Sequence, residues 1–81
     1  MNVKVHLFSI ARDIAGFEER TLALNENATI ESVYEHLVRS NPQFVNWKST
    51  LRFAVNHEYV DNGYKLSDGD EVAVIPPVSG G

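Results

Sequence analysis

The sequence contains no cysteine, which removes disulfides, thiolate nucleophiles and thiolate metal sites together. Any sulfur chemistry must therefore use another atom. Positive charge is sparse: seven Lys and Arg face eleven Asp and Glu, giving a net charge of −4, and no basic block occurs. The counterion release that drives nucleic-acid binding then has no evident source, so nucleic acid and anionic membrane are not expected partners. No apolar run approaches the about 20 residues of a spanning helix, and Met1-Asn2-Val3-Lys4-Val5-His6 lacks a signal-peptide pattern. The expectation is a soluble, cytoplasmic protein. Neither G-x-x-x-x-G-K-[ST] nor G-x-G-x-x-G occurs, so no ATP-binding motif is found.

What remains is an ordinary globular composition, 43% hydrophobic over 81 residues, enough for one domain with one core and too little for a deep internal cleft. From Val3 to Phe8 the chain alternates, with Val3, Val5 and Leu7 on one side and Lys4, His6 and Phe8 on the other, predicting a strand with one buried face. Ile10 to Gly16 reads as a loop or short helical turn ended by glycine, and Phe17 to Leu24 as a second strand. Ile30, Val33, Tyr34, Leu37 and Val38 recur at helical spacing behind a Thr29 cap, with Glu31 in the first turn and Asn41-Pro42 at the exit. The stretch from Gln43 to Thr50 shows no clear period, but its Phe44, Val45 and Trp47 are expected to lid one end of the core. Strands are expected from Leu51 to Asn56, at Tyr59-Val60, and from Glu71 to Ile75, with turns at Asn56-His57-Glu58 and Leu66-Ser67-Asp68-Gly69-Asp70. A hairpin, a crossing helix and returning strands describe an α+β fold of the β-grasp type, a mixed sheet with one main helix packed across it. The domain is read as residues 1–75, followed by a flexible Gly-Gly tail over 76–81.

That tail carries the chemistry. Pro76-Pro77 stops the last strand and holds the base extended, while Val78, Ser79, Gly80 and Gly81 end in two residues able to thread a narrow channel. A terminal carboxylate at Gly81 is inert until activated, typically as an acyl-adenylate that a sulfur or nitrogen nucleophile displaces. With no nucleotide motif here, the activating enzyme must be a separate protein, and this chain binds no cofactor itself. His6, His36 and His57 occur singly without ligand spacing, so no metal site is expected. Asp68 and Asp70 flank Gly69 as a turn and not as an acid/base pair; Arg12 is assigned to the loop, with a partner carboxylate as its alternative.

The opening Val3-Lys4-Val5-His6-Leu7-Phe8, then Ala11-Arg12-Asp13-Ile14-Ala15-Gly16, Ala54-Val55-Asn56 and, most specifically, Leu66-Ser67-Asp68-Gly69-Asp70-Glu71-Val72-Ala73 running into Ile75-Pro76-Pro77-Val78-Ser79-Gly80-Gly81 carry a resemblance. Along essentially the whole chain, the sequence resembles the molybdopterin synthase small subunits, MoaD-type sulfur carriers of the ubiquitin-like superfamily. The resemblance implies a ubiquitin-like β-grasp fold and a non-catalytic carrier. It implies that an E1-like, MoeB-like adenylyltransferase uses ATP to activate Gly81, and that a sulfurtransferase system leaves a thiocarboxylate there. A MoaE-like large subunit, which carries the catalytic side chains, then accepts the tail and passes sulfur to cyclic pyranopterin monophosphate within a heterotetramer. By position, Phe8, Tyr59 and Ile75 match places where the family presents apolar residues to its partner; Tyr59 departs from the aliphatic residue usual there. The competing readings are sulfur donation to thiazole or thiolated tRNA, and a protein modifier conjugated through Gly81.

Overall fold

The computed structural model describes residues 1–76, so the expectations resting on Pro77, Val78, Ser79, Gly80 and Gly81 lie outside the described residues. The alternating start forms β1, Asn2–Leu7, with Val3, Val5 and Leu7 buried. It runs antiparallel to β2, Glu19–Ala23, in a register that sets Val3 against Leu22 and His6 against Glu19. The second strand is shorter than the sequence suggested. Phe17 lies before it, with the Arg20 guanidinium 3.8 Å from its ring centre, and Leu24 lies after it, exchanging hydrogen bonds with Met1 at 2.8 Å.

Between these strands the segment left open as a loop or helical turn is a helix, α1, Ser9–Ala15. Its one fully buried residue is Ala11, and Gly16 ends it in the left-handed region at φ 81°, donating its N–H to the Arg12 carbonyl at 2.9 Å. That geometry favours glycine because a Cβ is strained there even where space is open.

The main helix α2, Ile30–Ser40, buries Ile30, Val33, Tyr34 and Leu37 along one stripe, with Val38 packed at its margin. Thr29 is the N-cap, as its sequence position predicted, and the Ser32 hydroxyl accepts the Thr29 N–H at 3.1 Å. Helix α2 stops at Asn41, whose amide joins two neighbours: its Nδ2 donates to the Ile14 carbonyl at 2.8 Å and its Oδ1 accepts the Gln43 N–H at 3.0 Å.

Pro42–Trp47 follows as a 3-10 helix. At three residues per turn, Phe44 and Trp47 share a side, whereas Val45 points elsewhere. Phe44 is fully buried and Trp47 partly so, but Val45 is 57% exposed, so two of the three expected lid residues close the core and Val45 does not. The Tyr34 hydroxyl, buried on α2, donates to the Phe44 carbonyl at 3.1 Å and pins the lid to the helix.

β3, Arg52–Val55, and β4, Glu58–Val60, make a hairpin whose two turn residues, Asn56 and His57, both have positive φ, 50° and 75°. This is the pair of conformations a two-residue hairpin with the natural strand twist requires. β5, Glu71–Ile75, then inserts between β1 and β3, parallel to the first and antiparallel to the second. The mixed five-stranded sheet has the order β2-β1-β5-β3-β4, and α2 packs across the face carrying Val3, Val5, Leu7, Phe53, Val55, Val72 and Val74. The β-grasp arrangement read from the element order is thus present. Pro76, placed with the tail by sequence, is buried, because the alternation of β5 continues through it on the side of Val72 and Val74.

The turn before β5 is held by its carboxylates. Asp70, 9% exposed, accepts the Ser67 N–H at 2.7 Å and the Asn56 amide at 3.0 Å, while Asp68 accepts the Asn2 N–H at 2.6 Å. Both acids are occupied as acceptors, in keeping with their reading as turn residues. Asp70→Ala would strand two donors, one of them a backbone N–H. A loss of about 1–3 kcal/mol is expected, read as a lower urea midpoint with unchanged slope; an unaltered midpoint would show that water replaces the carboxylate without cost.

Candidate functional site

The sheet has two unlike faces, and the register fixes which residues share the one away from α2. One row across it reads Glu19, His6, Ala73, Ala54, Tyr59. The next row toward the end of β5 pairs Ile75 with Arg52, and Phe8 follows β1 beside Ile75, donating its N–H to the Val74 carbonyl at 3.3 Å. Because β1 and β5 are parallel, Phe8 lies at the end of the sheet where the chain leaves toward residue 77.

Phe8, Tyr59 and Ile75 therefore all belong to this outer face. Phe8 is 50% exposed, Tyr59 is 67% exposed and Ile75 is half-buried. Phe8 and Ile75 are neighbours, whereas Tyr59 stands two strands away, joined to them by the small residues Ala73 and Ala54. These alanines keep the floor low, so three larger apolar side chains rise around a nearly flat centre. An apolar band of this kind on a small domain is what a docking surface needs: aromatic anchors that a partner can cover and desolvate.

A concavity of about 250 Å³ opens beside the band, lined by His6, Phe8, His57, Glu71 and Ala73. His6 Nδ1 lies 3.4 Å from Glu19 Oε1, and Glu19 also lies 4.0 Å from Lys4 Nζ, so these three polar side chains gather on the β1–β2 side of the face. His36 sits on α2, away from the other two imidazoles, and no group of three His, Asp or Glu is placed to hold a metal ion among the described residues. Arg12 is on α1, 3.9 Å from its neighbour Asp13, and not on the outer face band. On the lid, Lys48 Nζ is 3.1 Å from Glu31, whose carboxylate raises the Lys48 pKa above its ordinary value; the pair is solvent-exposed and adds little to stability. No helix among the described residues is long and apolar enough to cross a membrane.

Two residues beside this band were not marked as partner-binding by sequence. Arg52 lies between Leu51 and Phe53 on the polar side of an expected strand, and His57 was weighed only as a metal ligand, for which it lacks the spacing. Only the cross-strand register brings each beside the residues that sequence had marked. The expected reactive position, Gly81, and the tail residues Val78, Ser79 and Gly80 with Pro77 lie outside the described residues.

Comparison with known proteins bears on what such a face and tail belong to. The family model described as the ThiS family matches residues 5–81. A relative named molybdopterin synthase sulfur carrier subunit, from Chlamydomonas reinhardtii, is 41% identical over 83 residues, covering all of both chains. A protein of the same name from Arabidopsis thaliana is 33% identical, across all of this chain and 84% of its own. Among solved structures, a putative molybdopterin converting factor, subunit 1, from Pyrococcus furiosus superposes with a TM-score of 0.86 at 31% identity, covering 96% of this chain and 99% of that one. A match that begins in β1 and continues through residue 81, on a fold shared at that level, makes this chain a member of the ThiS family, beside the molybdopterin synthase sulfur carrier subunits.

Proposed function

We infer that the chain is a sulfur carrier of molybdenum cofactor biosynthesis, holding sulfur as a thiocarboxylate at Gly81 and delivering it to a large synthase subunit. The observation that carries this reading is the full-length match to proteins named as the sulfur carrier subunit of molybdopterin synthase. The structure supplies the physical support. The chain has no cysteine to hold sulfur, and the strand that leads toward residue 77 ends beside an exposed apolar band of the sheet.

In the proposed cycle a Gly81 carboxylate oxygen attacks the α-phosphorus of ATP on an E1-like, MoeB-like enzyme, and pyrophosphate leaves. Sulfide-level sulfur delivered by the sulfurtransferase system, as HS⁻, then attacks the acyl carbon; the C–O bond to AMP breaks, AMP leaves, and loss of the proton gives the thiocarboxylate. The domain is the handle for both steps, and ATP is bound by the activating enzyme. The outer face docks on a MoaE-like large subunit, which takes the tail into its active site and uses its own side chains to pass sulfur to cyclic pyranopterin monophosphate. An extended chain of five residues reaches roughly 17 Å, enough to cross the wall of a partner while the body of the domain stays outside.

Phe8 is the anchor of that docking. Phe8→Ala is expected to weaken binding to the large subunit by about tenfold or more, measured by calorimetric titration. The thermal midpoint should fall by only about 4–8 °C, because Phe8 is 50% exposed and about 1 kcal/mol of burial is at stake. Equal affinity of the variant and the parent chain would remove the outer face from the interface.

Intact mass after incubation with ATP, the activating enzyme and a sulfur source tests the carrier reading. Exchange of one oxygen for one sulfur, localised to Gly81, is the expected result. A chain joined through Gly81 to a lysine of another protein, with no sulfur gained, would overturn it in favour of a protein modifier.

A further inference from the structure

The corner of the outer face beside the end of β5 differs in chemistry from the apolar band it borders. Arg52 is the cross-strand partner of Ile75, so its side chain leaves the sheet on the same side as the band. It is exposed, and among the described residues no carboxylate lies within 4.0 Å of it. Lys4 is engaged by Glu19, Lys48 by Glu31 and Arg20 by the ring of Phe17; Arg39 and Lys65 also have no carboxylate within 4.0 Å among the described residues, but they lie off this face, on α2 and opposite Thr29. Arg52 also has a shaped surround. With Ser49, Thr50 and Leu51 it lines a concavity of about 440 Å³. The turn that carries these residues is braced, since the N–H groups of Thr50 and Leu51 both donate to the Trp47 carbonyl, at 3.0 and 2.9 Å, and the Thr50 hydroxyl donates there too at 3.1 Å. Leu51 is buried beneath it, leaving Ser49 and Arg52 to face solvent.

We propose that this corner receives a carboxylate side chain of the large synthase subunit and so fixes the angle at which the tail enters it. The inference rests on the sulfur-carrier reading above. Three features favour it. A guanidinium is always charged, and its planar fork matches a carboxylate at two points, with the Ser49 hydroxyl beside it as a further donor. The corner is continuous with the band of Phe8, Ile75 and Tyr59, so a partner that covers the band also covers Arg52 and must neutralise it. Of the other charges on this face, Lys4 and Glu71 pair two rows from Ile75 and Glu19 stands on β2, three strands from β3, so none borders Arg52. In a chain of net charge −4, an unpaired cation at the tail root orients an approaching acidic group.

The test uses the full-length chain and the purified large subunit. Arg52→Ala is expected to weaken binding about tenfold, and Arg52→Glu about a hundredfold at low ionic strength, with the association rate carrying much of the loss and the penalty shrinking in high salt. Adenylation of the same variants by the activating enzyme should stay within about twofold of the parent. An Arg52→Glu chain that keeps its thermal midpoint and binds within about twofold of the parent would overturn the proposal. So would loss of adenylation with normal binding, which would give the corner to the activating enzyme. A parent chain that does not bind the large subunit at all would instead contradict the sulfur-carrier reading itself.

Discussion

Removing Gly81 is expected to reduce sulfur transfer by about a hundredfold or more while leaving the fold and its thermal midpoint intact. The truncated chain still ends in a glycine carboxylate, so what it loses is reach. Each residue extends the chain by roughly 3.3–3.6 Å, and a misplacement of even about 1 Å at a reacting centre can cost two orders of magnitude. Folding is indifferent to the change because the core closes with residues of β5 and with Pro76, five positions before the end. The measurement is product formation from cyclic pyranopterin monophosphate with purified large subunit, beside circular dichroism of the truncated chain. Undiminished synthesis from a well-folded truncated chain would mean that the reactive group lies elsewhere.

The largest effect on stability is expected at Phe44. Its side chain is 0% exposed and is the largest of those fully buried. Phe44→Ala should cost about 3–5 kcal/mol, since the lid can collapse only partly into the space left. A domain of this size commonly has 5–15 kcal/mol in all, so the variant should unfold at markedly lower urea concentration. The position also supplies the carbonyl that satisfies the buried Tyr34 hydroxyl, so a shifted lid would loosen α2 as well. A change below about 1 kcal/mol would show that the 3-10 segment is a peripheral flap and not part of the core.

These two positions mark opposite ends of what the sequence made legible. Strand β1 and helix α2 were readable because each carries a full period of buried residues, Val3, Val5 and Leu7 in one, Ile30, Val33, Tyr34 and Leu37 in the other. Helix α1 was left open because it fully buries only Ala11, too little to establish a stripe. In the lid, a period of three over six residues is too short to be told from irregular chain, so Phe44 and Val45 looked alike although they have opposite fates. The element order carried the β-grasp arrangement and its mixed sheet, but not the register of the strand pairs. That register includes the parallel pairing of β1 with β5, which joins residues some 67 positions apart, Lys4 with Glu71 through Leu7 with Val74.

The candidate site divides in the same way. The exposure of Phe8 followed from alternation, and the terminal run Pro76-Pro77-Val78-Ser79-Gly80-Gly81 was conspicuous by composition. That Tyr59, Ile75 and Arg52 share a face with Phe8 is a consequence of register across four strands, which local sequence does not encode. Register also places the band where the chain departs toward residue 77, the juxtaposition on which the proposed docking and delivery rest.

On the proposed function, the α-carboxyl of Gly81 is the one group through which this chain carries sulfur. The most direct measurement compares the chain bearing a free carboxyl with a semisynthetic chain whose Gly81 ends in a primary amide. The amide should dock on the large subunit with unchanged affinity, gain no sulfur in the presence of ATP and the activating enzyme, and yield no molybdopterin. Cofactor synthesis by the amidated chain would contradict the account.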